Sequence, residues 1–401
     1  MSNPVSKEPK VANVPNLRFA YSEDIAPRNL SFFLEVRSER NTKGLFDKND
    51  VLSVSGDSGI VNQIELLGRS YAGESVLLYH VVEVNDIVYT KSPLASNPYG
   101  IIKTNGYKAG IVSTLYAVYK AKTNCNPFFV QHYFDYKPRI NKYLRPIVRI
   151  GAKHDMKIGN QEVLENTVFF PSVQEQNEIV SFLELVNERI ETQNKIIETL
   201  NSLIKPFFDA IPVTACEKFA LCKLGRCVPA ETMSWDDMTD DGAPAIIYGQ
   251  LFTDYSLIID EVHGRSSKRG CLSSGNDVLF PASTTVDNLS LISPASLKIK
   301  GVNLGGDMFS LSLHDWVDSD YLSLLINLDY RRDLAKLAQG STIIHLHWED
   351  IKDFELPLPS LADQKRVAAA CKCVLERIKI EKVLLNKLII RKQFLLKNMF
   401  I

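Results

Sequence analysis

Cysteine is scarce and unpatterned in this chain: its 401 residues hold seven, an odd number without framework spacing. That argues against a disulfide-stapled secreted scaffold and fits a reducing cytosol. Cys216, Cys222 and Cys227 come nearest to a metal cluster, but they form no CxxC pair and have no companion His. No metal site is therefore expected. Long apolar runs are missing too. Nothing approaches the ~18 residues needed to cross a membrane, and the opening MSNPVSKEPK has no apolar stretch. A secretory signal is not expected, and a cytoplasmic location is. There is also no GxxxxGK[ST], which removes the phosphate cradle of an ATP-driven motor.

Charge of either sign is absent only on average. The formal net charge is −1, with 45% hydrophobic and 23% charged residues, ordinary values for a folded protein. Along the chain the balance swings. Residues 15–171 carry +4 and 172–210 carry −4, whereas 211–360 carry −9 and 361–401 carry +7. The length suits two domains of common size.

What is present is a duplication. PSVQEQNEIVSFLELVNERI begins at Pro171 and PSLADQKRVAAACKCVLERI at Pro359. Pro171/Pro359, Ser172/Ser360, Gln176/Gln364, Glu188/Glu376, Arg189/Arg377, Ile190/Ile378 and Leu200/Leu388 all keep one offset of 188 residues. Ser172 with Glu175 predicts a capping box, and Ser360 with Asp363 a weaker one. Beyond the caps, Leu183, Val186, Ile190, Gln193, Ile197, Leu200, Ile204 and Phe207 follow steps of three and four. Cys371, Val374, Ile378, Glu381, Leu385, Leu388, Lys392 and Leu395 repeat the pattern. Each is a coiled-coil seam with a polar layer at Gln193 or Glu381.

A helix from Val173 to Phe208 would be roughly 54 Å long at ~1.5 Å per residue. The opposite charges of the two copies favour pairing with each other over self-pairing. An antiparallel pair would centre near Ile190 and Ile378, letting Arg189 meet Glu376 and Glu188 meet Arg377. Off the seam, Phe182, Ile196, Leu203, Ile380, Leu384 and Phe394 would be left wet, so helices from a partner are expected to cover them.

The fold class expected is α+β: two mixed α/β globular segments with two long antiparallel coiled-coil helices, a pseudo-two-fold tandem repeat. Its divisions are a tail (1–14), a globular segment (15–171), a spacer helix (172–211), a second globular segment (212–359) and a second spacer (360–401). VLSVSG, ESVLLYHVVEV and IVSTLYAVYK look like strands. The stretch from Asp315 to Gln339 has helical periodicity and ends at Gly340, a plausible cap.

This order of globular region, P-x-x-x-E-Q helix, globular region, P-x-x-x-D-Q helix resembles the specificity subunit of Type I restriction–modification systems. PSVQEQNEIVSFL, PSLADQKRV and GSTIIHLHWEDIKDFELPLP carry the likeness, with the stretch from Glu39 to Val61 and GIVSTLYAV from Gly110. It covers nearly the whole chain apart from about fourteen N-terminal residues. Asp363 stands where the second copy of the family usually has Glu.

The resemblance implies a non-catalytic subunit acting in DNA methylation and phage defence. Two target-recognition domains would each read one part of a split double-stranded DNA site, with the helices setting the gap. Two methyltransferase subunits would dock on the helices and supply S-adenosylmethionine chemistry, so no cofactor is expected in this chain. Motor–endonuclease subunits would join them. A scaffold unrelated to DNA, or the specificity subunit of a methylation-only system, are the alternatives.

Asn97-Pro98-Tyr99 looks like the Asn/Asp-Pro-Pro-aromatic clamp of adenine methyltransferases but lacks one proline. No glycine-rich strand–turn–helix for S-adenosylmethionine accompanies it, and a loop turn is favoured. His345-Leu346-His347 has no third ligand nearby, so packing is favoured over a metal.

Phosphate contacts need cations, and base reading needs forked donors or amides. Candidate DNA contacts in the first segment are Arg37, Arg40, Asn41, Lys43, Lys91, Asn97, Arg149, Lys153 and His154. In the second they are Tyr248, Gln250, Ser283, Thr284, Thr285, Arg331, Arg332, Ser341, Thr342 and His345. Helix pairing and partner docking are assigned to Phe182, Leu183, Val186, Arg189, Ile190, Ile196, Ile197 and Leu200. On the second helix they are assigned to Val374, Glu376, Ile378, Leu384, Leu385 and Leu388. The −9 of residues 211–360 implies weak, salt-dependent DNA binding by this chain alone.

Overall fold

The computed structural model describes residues 15–19, 25–73, 75–94, 97–150, 156–212 and 216–401. Residues 1–14, and with them the expected tail, lie outside it. The chain forms two compact units, one of Met1–Gln193 with Leu384–Ile401 and the other of Asn194–Val383. Both boundaries fall inside long helices, so each unit owns part of both copies of the repeat.

In the first unit an antiparallel sheet runs in the order Leu34–Arg37, Ala117–Ala121, Ile87–Tyr89, Ile102–Thr104. Leu52–Ser55 and Gly59–Asn62 form a hairpin, and His80–Val82 pairs with Gly110–Val112. Two strand expectations are corrected. ESVLLYHVVEV is extended only at His80–Val82, because Leu77 and Leu78 sit exposed in the preceding turn. IVSTLYAVYK is two strands. The Ser113 hydroxyl accepts from the Leu115 amide at 3.3 Å and the Ser113 carbonyl from that of Tyr116 at 3.0 Å, closing a turn.

The second unit is built differently. Its five-stranded sheet runs Gly225–Pro229, Met308–Leu313, Asp277–Pro281, Ala295–Leu297, Ile258–Ile259. A four-stranded sheet runs Arg265–Ser266, Met238–Ile247, Asn303–Gly305, Cys271–Leu272. The helical stretch after Asp315 is Ser319–Leu325, a π-helical segment Ile326–Tyr330 and Arg331–Ala335. Gly340 does not cap it. Its φ of +116° opens a later turn, where a Cβ would lie 2.1 Å from the Ile343 carbonyl oxygen.

The duplicated segments are helical at Val173–Ser202 and Leu361–Asn398. The first is shorter than expected. Leu203 interrupts it, and a separate helix spans Ile204–Asp209. Pro206 explains the break, since its ring would collide with the carbonyl four residues earlier. The interruption shifts the apolar face: Phe208 is buried and stacks on Tyr321 at 5.3 Å, leaving Phe207 half-buried.

The caps also differ from expectation. Ser172 Oγ does accept from the Glu175 amide, at 3.4 Å, but the Glu175 carboxylate turns to Arg18, with Nε and Nη2 at 2.7 and 2.8 Å. At the second copy Ser360 Oγ accepts from the Asp363 amide at 3.3 Å and donates to the Asp363 carboxylate at 2.8 Å.

What ties each helix to its globular partner is the glutamine of the repeat. Gln176 is fully buried: its Oε1 accepts from the Asn126 amide at 2.8 Å. Its Nε2 donates to the carbonyls of Pro171 at 2.9 Å and Asn124 at 3.3 Å. Gln364 repeats this, accepting from the Asp318 amide at 2.9 Å and donating to Pro359 at 2.9 Å and Trp316 at 3.4 Å. Asn126 and Asp318 are themselves caps, of helices Pro127–Phe134 and Ser319–Leu325.

The first unit's core draws on both long helices. Ile179 and Leu183 from one, and Leu396 from the other with Met399 just past its end, join Phe129, Tyr133 and Phe170. Beside it His132 is buried, with Nε2 2.8 Å from Glu184 and Nδ1 3.7 Å from Asp135, which also pairs with Lys103 at 2.7 Å. Burial opposes a charge on His132, but the Glu184 and Asp135 carboxylates outweigh it and hold the imidazole above its ordinary 6.5. Lys392, from the second long helix, is pushed down by burial and completes the cluster.

Two outcomes are expected. Arg18→Met strands a buried carboxylate and should cost the first unit about 3 kcal/mol in urea unfolding, partly recovered by adding Glu175→Gln. Folded His132 keeps a proton that the unfolded chain releases, so its contribution is complete below about 6.5 and fades as pH rises through the folded value. His132→Gln should therefore flatten the fall in stability above neutral pH, read from unfolding midpoints across that range.

Candidate nucleic-acid interface and docking helices

In the second unit the candidates converge on a short ribbon. Ser283–Thr284 pairs with Ile344–His345, placing Ser283 opposite His345. The next turn is fixed by Asp287, which accepts from the Ser290 amide at 2.8 Å and caps Asn288–Leu291. Asn288 Nδ2 reaches the Ala335 carbonyl at 3.2 Å and Arg331 Nε the Leu289 carbonyl at 3.0 Å. These bonds bring the helix that carries Arg331 and Arg332 against the ribbon of Thr284 and His345, with Thr285 next in the chain and Ser341 and Thr342 in the turn before Ile344. Arg332, Thr285, Ser341 and Thr342 are exposed, as are Val286 and Ile343. Hydroxyls, a guanidinium and bare methyl groups together suit phosphate and base-edge contacts. Asn288, Val286 and Ile343 were not singled out by sequence; the Asp287-Asn288 turn pair was the available signal.

His345 and His347 stack at 5.7 Å with planes 5° apart. Among the described residues no group of three side chains could hold a metal. A cleft of about 630 Å³ beside the ribbon is lined by Arg226, Phe309, Leu346, His347 and Trp348, among others.

Two second-unit candidates lie apart from this edge. Tyr248 is exposed, but Gln250 is turned inward, accepting from the Ile247 amide at 3.1 Å and donating to Asp254 at 3.1 Å. Gln250 supports the strand end rather than facing solvent. Ser283 is likewise buried.

In the first unit the expectation of an open polar stretch is corrected at several residues. Asn41 is buried, its amide spanning the Phe46 carbonyl at 2.8 Å and amide at 3.1 Å. Arg37 is held by Glu39 at 2.7 Å and Asp86 at 3.0 Å. Lys91 is bonded to the Ile158 carbonyl at 2.9 Å and to Asn160. Asn97 is buried in a turn, its carbonyl accepting from the Gly100 amide at 3.0 Å. Gly100 has φ +88°, and a Cβ there would come within 2.9 Å of Thr90 and Tyr89. The Asn97-Pro98-Tyr99 segment is thus a packed turn.

Arg40, Lys43 and Arg149 remain exposed. Arg40 bridges to His80, a residue sequence reading passed over. Burial first, then the charges of Arg40 and Lys91, push His80 below its ordinary value. Lys153 and His154 lie outside the described residues.

On the long helices the residues of the expected seam differ in exposure. Leu183, Gln193, Ile197, Cys371, Ile378 and Glu381 are buried, and Val186, Ile190, Leu200, Val374, Leu385 and Leu388 are half-buried. Arg377 bonds Glu381 one turn along its own helix, and Glu188, Arg189 and Glu376 are exposed. Phe182 and Leu384 are exposed as expected, whereas Ile196 is half-buried. The second helix carries a further outward stripe that sequence reading only partly caught. Ile380, Val383, Ile390 and Phe394 follow steps of three and four interrupted by Lys387, with Ile390 60% and Phe394 56% exposed.

No helix among the described residues is long and apolar enough to cross a membrane. No curated protein matches the sequence. Residues 265–389 match the family described as Type I restriction modification DNA specificity domain. Among solved structures, the Type I restriction–modification S subunit from M. genitalium is similar over 97% of this chain and 99% of its own. Its TM-score is 0.61 at 12% identity. A chain from a structure of complex assembly and conformational transition of the type I R-M system has a TM-score of 0.53 at 15% identity. That match covers 94% of this chain and 97% of the other. The likeness read from the doubled helix is borne out: residues 265–389 match the Type I DNA specificity domain, and nearly the whole chain carries the mixed α/β fold of a Type I S subunit.

Proposed function

We propose that this chain is the non-catalytic DNA specificity subunit of a Type I restriction–modification complex in the cytoplasm. Residues 15–171 and 212–359 are its target-recognition domains, each reading one part of a bipartite duplex site. The helices at 172–211 and 360–401 pair antiparallel and hold the two domains apart. Two methyltransferase subunits bring S-adenosylmethionine and dock on the outward apolar stripes, and motor–endonuclease subunits complete the assembly.

The observation that carries this reading is the twofold use of one anchor. Two globular units with unlike sheets are fastened to like helices through the same buried glutamine geometry. Distinct readers on matched arms need that arrangement. The family match over 265–389 and the fold likeness support it. So does the stripe from Ile380 to Phe394, an apolar surface of helical spacing that a partner helix would cover.

Mapping methylated bases in cells with and without this gene tests the proposal; an unchanged map would reject it. Exchanging residues 212–359 for another family domain should change one half of the mapped motif and leave the other intact. The isolated chain should bind DNA weakly, with affinity falling steeply as salt rises. In the assembled complex Arg332→Ala should weaken binding about equally for all sequences and lower the salt slope by about 1, measured by titration at several salt concentrations.

A further inference from the structure

Gln176 and Gln364 do more than hold two helix ends. Each amide joins three places in the chain: the capping residue of a globular helix, the residue two before it, and the proline opening the long helix. The partners are Asn126, Asn124 and Pro171 in one unit, and Asp318, Trp316 and Pro359 in the other. Gln176 is 0% and Gln364 1% exposed, so solvent has almost no access to replace a lost bond.

The surrounding globular parts differ in the order and direction of their main sheets, although in each the first strand pairs antiparallel with the last strand before the long helix. A device needed only to fold one particular core would not persist across two unlike cores. What the units share here is one set of three bonds joining a capped helix to the start of a long helix, and such a set constrains the angle at which the two meet. Three bonds from one planar amide fix that angle more firmly than apolar contact, because hydrogen bonds are directional and packing contacts are not.

We infer that Gln176 and Gln364 are specificity-determining positioning residues: by fixing how each recognition domain leaves its helix, they set the gap tolerated between the two halves of the DNA target. The inference rests on the specificity-subunit reading. Both side chains are buried, so they would act through the domains they hold rather than by contacting DNA. A lateral shift of about 3.4 Å, one base step along a strand, would present each side chain to the wrong base edge.

The test uses the full chain assembled with its methyltransferase subunits, and duplexes carrying the mapped half-sites with the native gap or a gap one base pair longer or shorter. Gln176→Met and Gln364→Met keep volume and remove all three bonds. Gln176→Glu keeps the acceptor for the Asn126 amide and loses the donor. Native-gap targets should still be methylated, with half-site preference intact, while discrimination against wrong gaps falls roughly tenfold, the scale of an unmet buried hydrogen bond.

Unchanged gap discrimination in a folded complex would overturn the inference, and so would loss of base preference with the gap still strict. Thermal unfolding identifies any variant that fails to fold; the remaining two then decide by the same ratio. A wild-type complex that directs no methylation would instead sink the specificity-subunit reading itself.

Discussion

A buried side-chain amide is tolerated only when its donors and acceptor are matched, and the anchoring of both long helices depends on that condition. Gln176 and Gln364 sit where solvent cannot compensate, so each must find a free backbone amide and free carbonyls together. The groups that meet this need are those flanking a helix cap in the globular part and the proline before the long helix. Helix start, globular helix and their mutual angle are therefore fixed as one object. Around it, the Arg18–Glu175 pair and the His132 cluster add charge in the first unit. Lys298 between Asp318 and Asp320, at 2.8 Å from each, does so in the second.

The two copies of the helix are not equal beyond that anchor. Pro206 divides the first, and its last turns repack through Phe208. The second runs unbroken to Asn398 and keeps its outward stripe of Ile380, Val383, Ile390 and Phe394. Similar seams thus carry dissimilar outer faces, and any partner docking on both must accommodate the difference. Gln193 and Glu381, at equivalent positions, are both buried.

The acidic second unit would repel a duplex if its charge were spread evenly, but the ribbon edge is locally different. Arg331 is bonded to the Leu289 carbonyl beside the ribbon and Arg332 is exposed, with hydroxyls at Thr285, Ser341 and Thr342 also exposed, although the exposed carboxylates of Asp287 and Asp333 share this region. The first unit offers Arg40, Lys43 and Arg149, while Arg37 has its charge met by carboxylates. A DNA face made of such small patches would need other subunits to supply much of the phosphate grip.

The sequence by itself determined the mixed α/β class and the places of the two long helices. A phrase repeated at constant offset, with a seam of three-and-four spacing and two dissimilar regions between, is local and periodic information, and it led to a fold that the comparisons share. It also announced Gln176 and Gln364 as matched positions without saying what they hold, because their partners lie about fifty residues earlier in the chain. Only tertiary structure decided that Asn41, Asn97 and Gln250 face inward, that Glu175 answers Arg18 instead of its own cap, and that Ser283 meets His345. Composition marks a residue as polar. Whether it faces solvent or fills a backbone vacancy depends on which distant amides and carbonyls the fold leaves unpaired beside it.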